Sequence, residues 1–190
     1  MASQGPSNGG AATSTSVPVG EFDWINPNNV LTPDGAGTTA TAPRDDVISN
    51  ALDVTGFGFT IPNGSSIDGI ELVLTKKESG SAVTDWVVQL LDAGAPVGDN
   101  KMDFGNEWST TYNAHPYGAS NDTWGYAWTP AKINASGFGI RVECHISIEA
   151  EIAYIDAAQL TVTYTEGAVT HTMIASFTIN ANRIVGGGWA

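Results

Sequence analysis

The strongest constraint on the fold is a long alternation of apolar and polar side chains near the C-terminal end. From Phe138 to Ile152, apolar residues occupy every even position, and polar residues or glycine occupy the odd ones. A period of two over this length puts the apolar side chains on one face of an extended strand and the polar ones on the other. Such a pattern is typical of antiparallel sheets with one buried face, so a strand is predicted over residues 138–152.

Composition also favours a sheet protein over a helical one. Only 14% of the residues are charged, and glycine and small polar residues are frequent throughout the 190-residue chain. This length is sufficient for one domain with a sizeable core. About eight short strands, without amphipathic helices between them, predict an all-β fold. We expect an antiparallel β-sandwich, with a jelly roll as the favoured topology and extended arms at both ends.

The same alternation predicts where the strands lie: 38–42, 51–61, 67–75, 83–91, 125–129, 138–152 and 158–164. We expect 67–75 to pair with 83–91, and 138–152 to pair with 158–164, as consecutive antiparallel partners. A turn or bulge is expected at 153–156 and a helical turn at 130–134. Between residues 92 and 124, frequent glycine and proline predict long loops with one or two short strands. Long ordered loops often bind a ligand.

Both chain ends are predicted to lie outside the domain, which spans residues 21–166. Residues 1–20 have no charged or aromatic side chain, so they cannot bury enough apolar area to offset their ordering entropy. They are expected to form a flexible arm, or an arm that orders along a neighbouring subunit. Residues 167–190 alternate from Val169 to Ile179. This C-terminal extension is either a further strand of the same sheet or a segment that pairs with another subunit.

The net charge argues against two classes of partner. Twenty acidic residues against seven basic ones give a formal charge of -13, which opposes binding to nucleic acid and to anionic membranes. No run of about 18 apolar residues occurs. Residues 1–20 also lack the basic and apolar regions of a secretory signal. We therefore expect no nucleic-acid partner and no membrane partner.

The sequence lacks the residue patterns of common catalytic and metal sites. Cys144, the single cysteine, falls on the apolar face of the 138–152 run, so we expect a buried side chain rather than a nucleophile. His115, His145 and His171 share no ligand spacing. Neither a phosphate-binding glycine loop nor a nucleophile elbow occurs. We therefore predict no catalytic residue, no metal, no cofactor and no enzymatic activity, with a weak calcium site at Asp122, or a hydrolase using two carboxylates, as alternatives.

Six tryptophans raise the alternative of a sugar-binding surface, because aromatic faces stack on pyranose rings. Trp86 lies in an alternating apolar run and is expected in the core. Trp24 and Trp124 are flanked by turn residues, so we expect them to pack at the bases of loops. Trp108 and Trp128 remain as the candidate glycan contacts.

A series of motifs resembles the β-sandwich proteins found among tailed-phage virion components. The motifs are Trp24-x-Asn26-Pro27-x-Asn29, Asp34-Gly35, Gly58-Phe59-x-Ile61-Pro62-x-Gly64-x-x-Ile67-x-Gly69-Ile70, Asp85-x-x-Val88-x-Leu90, Tyr117-Gly118-x-x-x-Asp122-x-Trp124-Gly125 and Ile133-Asn134-x-x-x-Phe138-Gly139. The resemblance covers residues 24–164. It implies a non-enzymatic structural protein of the virion, most simply a decoration or cement protein on the outer capsid surface, made in the host cytoplasm.

Under this resemblance the partners are the major capsid protein or another virion protein, and further copies of the chain, with a homotrimer favoured. The terminal arms would clamp neighbouring subunits. The apolar positions expected to anchor the C-terminal arm are Met173, Phe177, Ile179, Ile184 and Trp189. The alternative function is a tail-associated or carbohydrate-binding β-sandwich module that recognises host surface glycan.

Overall fold

A computed structural model describes residues 1–167, which form two antiparallel sheets packed face to face. The strands are β1 (Ala2–Asn8), β2 (Ala11–Thr15), β3 (Thr38–Thr41), β4 (Val47–Ile48), β5 (Ala51–Thr55), β6 (Ser66–Glu78), β7 (Val83–Asp92), β8 (Ala95–Val97), β9 (Asn113–Ala119), β10 (Gly139–Ile146) and β11 (Ile152–Thr165). The helical elements are a 3-10 turn (Pro27–Leu31) and the single-turn helix α1 (Pro130–Ile133). Neither helical element in this part of the chain is long and apolar enough to cross a membrane.

The order of strands is that of a β-sandwich of the jelly-roll type. The first sheet runs β1-β11-β6-β9, with β3 also paired to β11, and the second runs β2-β5-β10-β7-β8, with β4 paired to β10. Along the sequence, most connections cross from one sheet to the other. The predicted all-β antiparallel sandwich is therefore confirmed. The helical turn after residue 130 and the two short strands between residues 92 and 124, β8 and β9, also match the prediction.

The predicted strand over residues 138–152 is too long. β10 ends at Ile146, and the chain turns through residues 147–151 before β11 begins at Ile152. In this turn Ile148 is exposed and Ala150 has a φ of 64°, a left-handed conformation far from the extended backbone of a regular strand. The side chains still alternate in the sequence here, but the backbone has already left the sheet.

The predicted strand partners are also wrong. β6 and β7 lie in different sheets, and so do β10 and β11. β10 pairs with β4, β5 and β7, whereas β11 pairs with β1, β3 and β6. The short connections between these consecutive strands cross the sandwich instead of reversing within one sheet. Residues 125–129, predicted as a strand, form a loop, and residues 153–156 lie inside β11, with the register shift after Ile155 as the predicted bulge.

The N-terminal segment is part of the sandwich, not an arm. β1 pairs with β11 and β2 pairs with β5, so residues 1–20 contribute one strand to each sheet. Small residues suit this position: a Cβ at Gly9 would lie 2.3 Å from Val54, and Ala12 is buried. Backbone hydrogen bonds and close packing of small side chains order a segment whose composition suggested disorder.

The C-terminal extension lies outside the described residues, apart from Gly167. Met173, Phe177, Ile179, Ile184 and Trp189 all fall in that region. Their role as anchors of an arm therefore stays a prediction.

A long loop over residues 98–110, termed the edge loop, runs along β7 on the side where β8 pairs only with residues 90–92. The Asn100 side chain accepts a hydrogen bond from the Val88 N–H at 2.9 Å and donates one to the Trp86 carbonyl at 3.1 Å. The Lys101 N–H donates to the Val88 carbonyl, and the Trp108 N–H donates to the Val83 carbonyl. The loop thus satisfies backbone groups that a further strand would otherwise bind.

A buried polar cluster lies between the sheets beneath the edge loop. The Asp85 carboxylate is fully buried and accepts hydrogen bonds from Lys76 Nζ at 2.5 Å, Trp108 Nε1 at 2.8 Å, Tyr117 Oη at 2.7 Å and the Asp103 N–H at 3.0 Å. Burial lowers the pKa of Lys76, which the neighbouring Asp85 opposes, and burial raises the pKa of Tyr117. One carboxylate therefore joins β7, β6, β9 and the edge loop.

Replacing Lys76 with methionine is expected to destabilise the fold strongly. The Lys76→Met variant leaves the Asp85 charge buried without its counterion, which typically costs about 3–5 kcal/mol of unfolding free energy. Urea unfolding measures this loss. Arg44→Ala is the control, because it breaks an exposed ion pair with Glu21, and such pairs contribute little. Equal stability of the two variants would contradict the role given to the buried pair.

Deleting residues 2–8 distinguishes a strand from an arm. Loss of β1 exposes the edge of β11, so we expect Tm to fall, by about 4–8 °C if the loss is about 2 kcal/mol. Differential scanning calorimetry measures the change, with Ser3→Ala, an exposed substitution on the same strand, as the control. An unchanged Tm after the deletion would support the flexible arm instead.

Candidate functional site

The outer face of the second sheet carries a row of polar side chains. Alternate residues of β10 are packed in the core, so Arg141, Glu143 and His145 project to the opposite side. In the paired register, Arg141 lies between Asp53 of β5 and Gln89 of β7. These residues are the polar half of a surface termed the aromatic–polar face, whose members are Asp53, Trp86, Gln89, Phe104, Arg141, Glu143 and His145.

Three aromatic rings meet at one end of this face. Ring centroids are 5.9 Å apart for Trp86 and Phe104, 5.5 Å for Phe104 and His145, and 6.3 Å for Trp86 and His145. Phe104 comes from the edge loop and is 48% exposed, whereas Trp86 is half-buried. His145 is fixed by a contact of 2.9 Å between its Nε2 and Asp46 Oδ1. The cluster therefore presents aromatic surface to solvent.

The expectation that Trp86 belongs to the core is wrong, and a bulge explains why. Residues 143 and 144 are neighbours on β10, and they lie opposite Val87 and Asp85, respectively. Trp86, between these two residues of β7, has no partner on β10 and is the extra residue of the bulge. The extra residue reverses the alternation in β7, so that Asp85 points into the core and Trp86 points out. Strict alternation with Val88 and Leu90 would instead place Trp86 in the core and Asp85 on the outer face.

Arg141 is already paired within the face. Its Nε donates to Asp53 Oδ1 and one terminal nitrogen donates to Asp53 Oδ2, both at 2.7 Å. These hydrogen bonds raise the pKa of Arg141. The bidentate geometry fixes both side chains. Gln89 is held in turn by a hydrogen bond of 2.7 Å from its Nε2 to the Gly98 carbonyl.

Glu143 differs from its neighbours because its carboxylate has no hydrogen-bond donor among residues 1–167. The residue is only 4% exposed, yet no described residue donates a hydrogen bond to its carboxylate. Burial raises the pKa of Glu143, and the nearby Arg141 charge opposes this effect. The hydroxyl of Thr84, which lies opposite His145 in the register, is buried and has no hydrogen-bond partner within the described part of the chain. Buried polar groups normally have partners, so the Thr84 hydroxyl and the free acceptor at Glu143 indicate a place where a ligand would supply hydrogen bonds.

A concavity of about 170 Å³ lies away from this face, between the edge loop, β6 and β9. Its lining includes Lys76, Asp103, Trp108 and His115. Burial and the nearby Lys76 charge lower the pKa of His115, and His115 Nε2 lies 3.9 Å from Asp103. The polar groups at its floor, Lys76 and Trp108, already bind Asp85. The polar groups at the floor of this concavity are therefore already engaged in the internal network around Asp85.

Metal ligation finds no support in the described residues. No group of three or more His, Cys, Asp or Glu side chains lies close enough together there to hold a metal ion. Asp122, the residue considered for a calcium site, uses its carboxylate to pair with Lys101 at 2.8 Å and to accept the Trp124 N–H at 2.8 Å. His171 lies outside the described part of the chain.

Both tryptophans predicted as glycan contacts are buried. Trp108 is 5% exposed and donates its indole N–H to Asp85. Trp128 is 8% exposed and packs edge-on against Phe138, with 5.2 Å between ring centroids. Neither indole offers an open face to a sugar ring, because each completes the packing beneath a loop.

Trp24 and Trp124 are buried, and their indole N–H groups donate to backbone carbonyls, as predicted for residues at loop bases. Sequence reasoning missed Trp86, Phe104 and Glu143. Phe104 had a usable signal, because it is an aromatic residue inside a polar, glycine-containing loop. Glu143 had none, since a polar position on a strand does not reveal whether its side chain has a partner.

Cys144 is fully buried on the core side of β10, as its place in the alternation predicted. Burial raises the pKa of the thiol to about 12. We therefore expect no reaction of the native protein with a chromogenic disulfide reagent at pH 8, because the thiolate is the reactive form. Addition of denaturant should release one equivalent of reactive thiol. Rapid labelling without denaturant would contradict the buried position.

No protein-family model and no curated protein matches this sequence. Among solved structures, the chain is similar to one described as "CBM4 structure and function", with a TM-score of 0.39 and 13% identity over 78% of this chain and 91% of the other. A xylan-binding module, CBM15, gives 0.38 and 12% over 88% and 97%. The N-terminal cellulose-binding domain of Cellulomonas fimi β-1,4-glucanase C gives 0.36 and 15% over 85% and 98%. Structural similarity at this level does not indicate the ligand or the partner of this protein.

Proposed function

We propose that the protein is a carbohydrate-binding β-sandwich module whose ligand lies along the aromatic–polar face. The observation that carries this proposal is the carboxylate of Glu143, which accepts no hydrogen bond from the described residues and lies beside three aromatic rings. A sugar ring has apolar C–H faces and hydroxyl donors around its rim. Aromatic surface next to an unsatisfied acceptor is therefore chemically complementary to it.

The apolar contact would come from the edge loop and the bulge of β7. Phe104 is 48% exposed and Met102, on the same loop, is 44% exposed. Trp86 supports Phe104 from below in an edge-to-face contact, with an angle of 68° between the rings. Exposed aromatic residues that are fixed by packing bind with a small loss of side-chain entropy.

The polar contacts would extend across the sheet. The register aligns Thr13, Asp53, Arg141 and Gln89 on four adjacent strands. With neighbouring strands about 4.8 Å apart, this row is about 14 Å long. Its hydroxyl, carboxylate, guanidinium and amide groups include both donors and acceptors. A row of this length suits an oligosaccharide better than a single sugar.

The virion role remains a separate proposal. A decoration protein on the outer capsid surface, with the major capsid protein as its partner, depends on residues 168–190, which lie outside the described part of the chain. The N-terminal residues expected to form its other arm are strands of the sandwich. A glycan-binding module is also compatible with a location on the tail of a virion.

Substitution of the aromatic residues tests the proposed function. Trp86→Ala and Phe104→Ala should each lower the affinity for a glycan identified on an array by about 10-fold or more, since aromatic anchors at interfaces often contribute 2 kcal/mol or more. Isothermal titration calorimetry measures the change. Tyr154→Ala is the matched control, because it removes a half-buried aromatic residue of β11, in the other sheet.

Two outcomes would overturn the proposal. The first is a blank array for the folded wild-type protein. The second is unchanged affinity in both Trp86→Ala and Phe104→Ala, which would place any glycan site elsewhere. Near-UV circular dichroism confirms that each variant keeps its fold.

A further inference from the structure

The lysines of this protein share an unusual arrangement with its aromatic rings. Each of the four lysines places its ammonium group over at least one ring. The pairs are Lys76 with Trp108 (4.5 Å) and Tyr117 (5.3 Å), Lys77 with Tyr112 (4.6 Å) and Tyr154 (4.7 Å), Lys101 with Trp124 (5.3 Å), and Lys132 with Tyr126 (4.1 Å). Cation–π attraction is thus a recurrent contact in this fold.

The aromatic cluster of the proposed site is the exception. Among residues 1–167, no cation lies over Trp86, Phe104 or His145, although Phe104 is exposed. Arg141, the one lysine or arginine that the described residues contribute to this face, is bound in a bidentate pair with Asp53. The cluster therefore offers aromatic surface for which the described part of the chain provides no positive charge.

The carboxylate of Glu143, which accepts no hydrogen bond from residues 1–167, adjoins this cluster. Glu143 and His145 are two residues apart on the same face of β10, which corresponds to about 7 Å along the strand. His145 contacts the rings of both Trp86 and Phe104. An anionic acceptor and open aromatic surface thus lie side by side, and a ligand with a positive charge would satisfy both.

We propose that the aromatic–polar face selects glycans that carry a free ammonium group, such as oligomers of glucosamine, over neutral and acidic glycans. This inference rests on the proposed function and specifies its ligand class. An ammonium group would form a charge-assisted hydrogen bond with Glu143 and a cation–π contact with Trp86 or Phe104. The net charge of -13 attracts a cationic ligand, whereas a uronic acid would meet a carboxylate of like charge.

The raised pKa of Glu143 is consistent with a positively charged ligand. Burial raises the pKa of this carboxyl because its ionised form has lost water and gained no hydrogen-bond donor. A bound ammonium group would restore the missing donor and stabilise the ionised form. A neutral hydroxyl would supply a donor but no compensating charge, so it would stabilise that form less.

Matched oligosaccharides test the selection. Calorimetry of the full chain would compare hexamers of glucosamine, N-acetylglucosamine, glucose and galacturonic acid at one pH and one salt concentration. The glucosamine and N-acetylglucosamine hexamers have the same backbone and differ in the ammonium group. We expect the glucosamine hexamer to bind at least about 10-fold more tightly than the N-acetylated one, and the galacturonic acid hexamer to bind most weakly.

Two variants distinguish a direct contact between the ligand and Glu143 from general electrostatic attraction to an acidic protein. Glu143→Gln should bring the ratio between the glucosamine and N-acetylglucosamine hexamers close to one. Glu149→Gln removes one negative charge from the exposed turn after β10 and should leave the ratio unchanged. An equal loss of preference in both variants would overturn the role of Glu143.

The outcomes distinguish the inference from the function on which it rests. If the neutral hexamers bind as tightly as the glucosamine hexamer, the selection is wrong and the glycan-binding function stands. If no hexamer binds, the selection is wrong, and a blank glycan array would show that the glycan-binding function is wrong as well. Binding of a lysine hexapeptide without binding of any hexamer or any glycan on the array would overturn both, because it would indicate a basic protein as the partner.

Discussion

The buried carboxylate of Asp85 is the group on which both the sandwich and the candidate site depend. It extends from β7 into the space between the sheets, where it binds Lys76 of β6, Tyr117 of β9 and Trp108 of the edge loop. A buried charge is tolerated only when several donors replace its lost water, and Asp85 has four. The fourth donor is the backbone N–H of Asp103, so the same carboxylate that joins the sheets also fixes the residue next to Phe104.

The bulge in β7 gives neighbouring residues opposite roles. Asp85 points inward and completes the polar cluster, while Trp86 points outward and supports Phe104 on the aromatic–polar face. The two sides of the sheet also differ in whether their carboxylates accept hydrogen bonds from the protein. Inside, Asp85 is saturated with hydrogen bonds, whereas outside, the Glu143 carboxylate and the Thr84 hydroxyl have no hydrogen-bond partner among the described residues. A rigid surface with free polar groups is what a binding site requires, because the supporting contacts are formed before the ligand arrives.

The sequence alone predicted the sandwich but not its pairing or its site. Alternation reports which side chains share a face of a strand, and it correctly placed Cys144 in the core. It does not report which sheet a strand joins, so β10 and β11 were expected to pair although they lie in different sheets. It also fails at a bulge, which is why Trp86 was assigned to the wrong side. The strands in residues 1–20 were missed because backbone hydrogen bonds, which carry no side-chain pattern, order them.

The most direct measurement of the central claim is a two-dimensional ¹H–¹⁵N titration of the labelled full chain with glucosamine hexamer, followed through the indole N–H signals. The account predicts that the Trp86 indole and the backbone amides of Phe104 and Glu143 shift together, and that the buried indoles of Trp24 and Trp124 do not. Shifts confined to other surfaces would contradict the assignment of the glycan site to the aromatic–polar face, and no shifts at millimolar hexamer would contradict the ligand class.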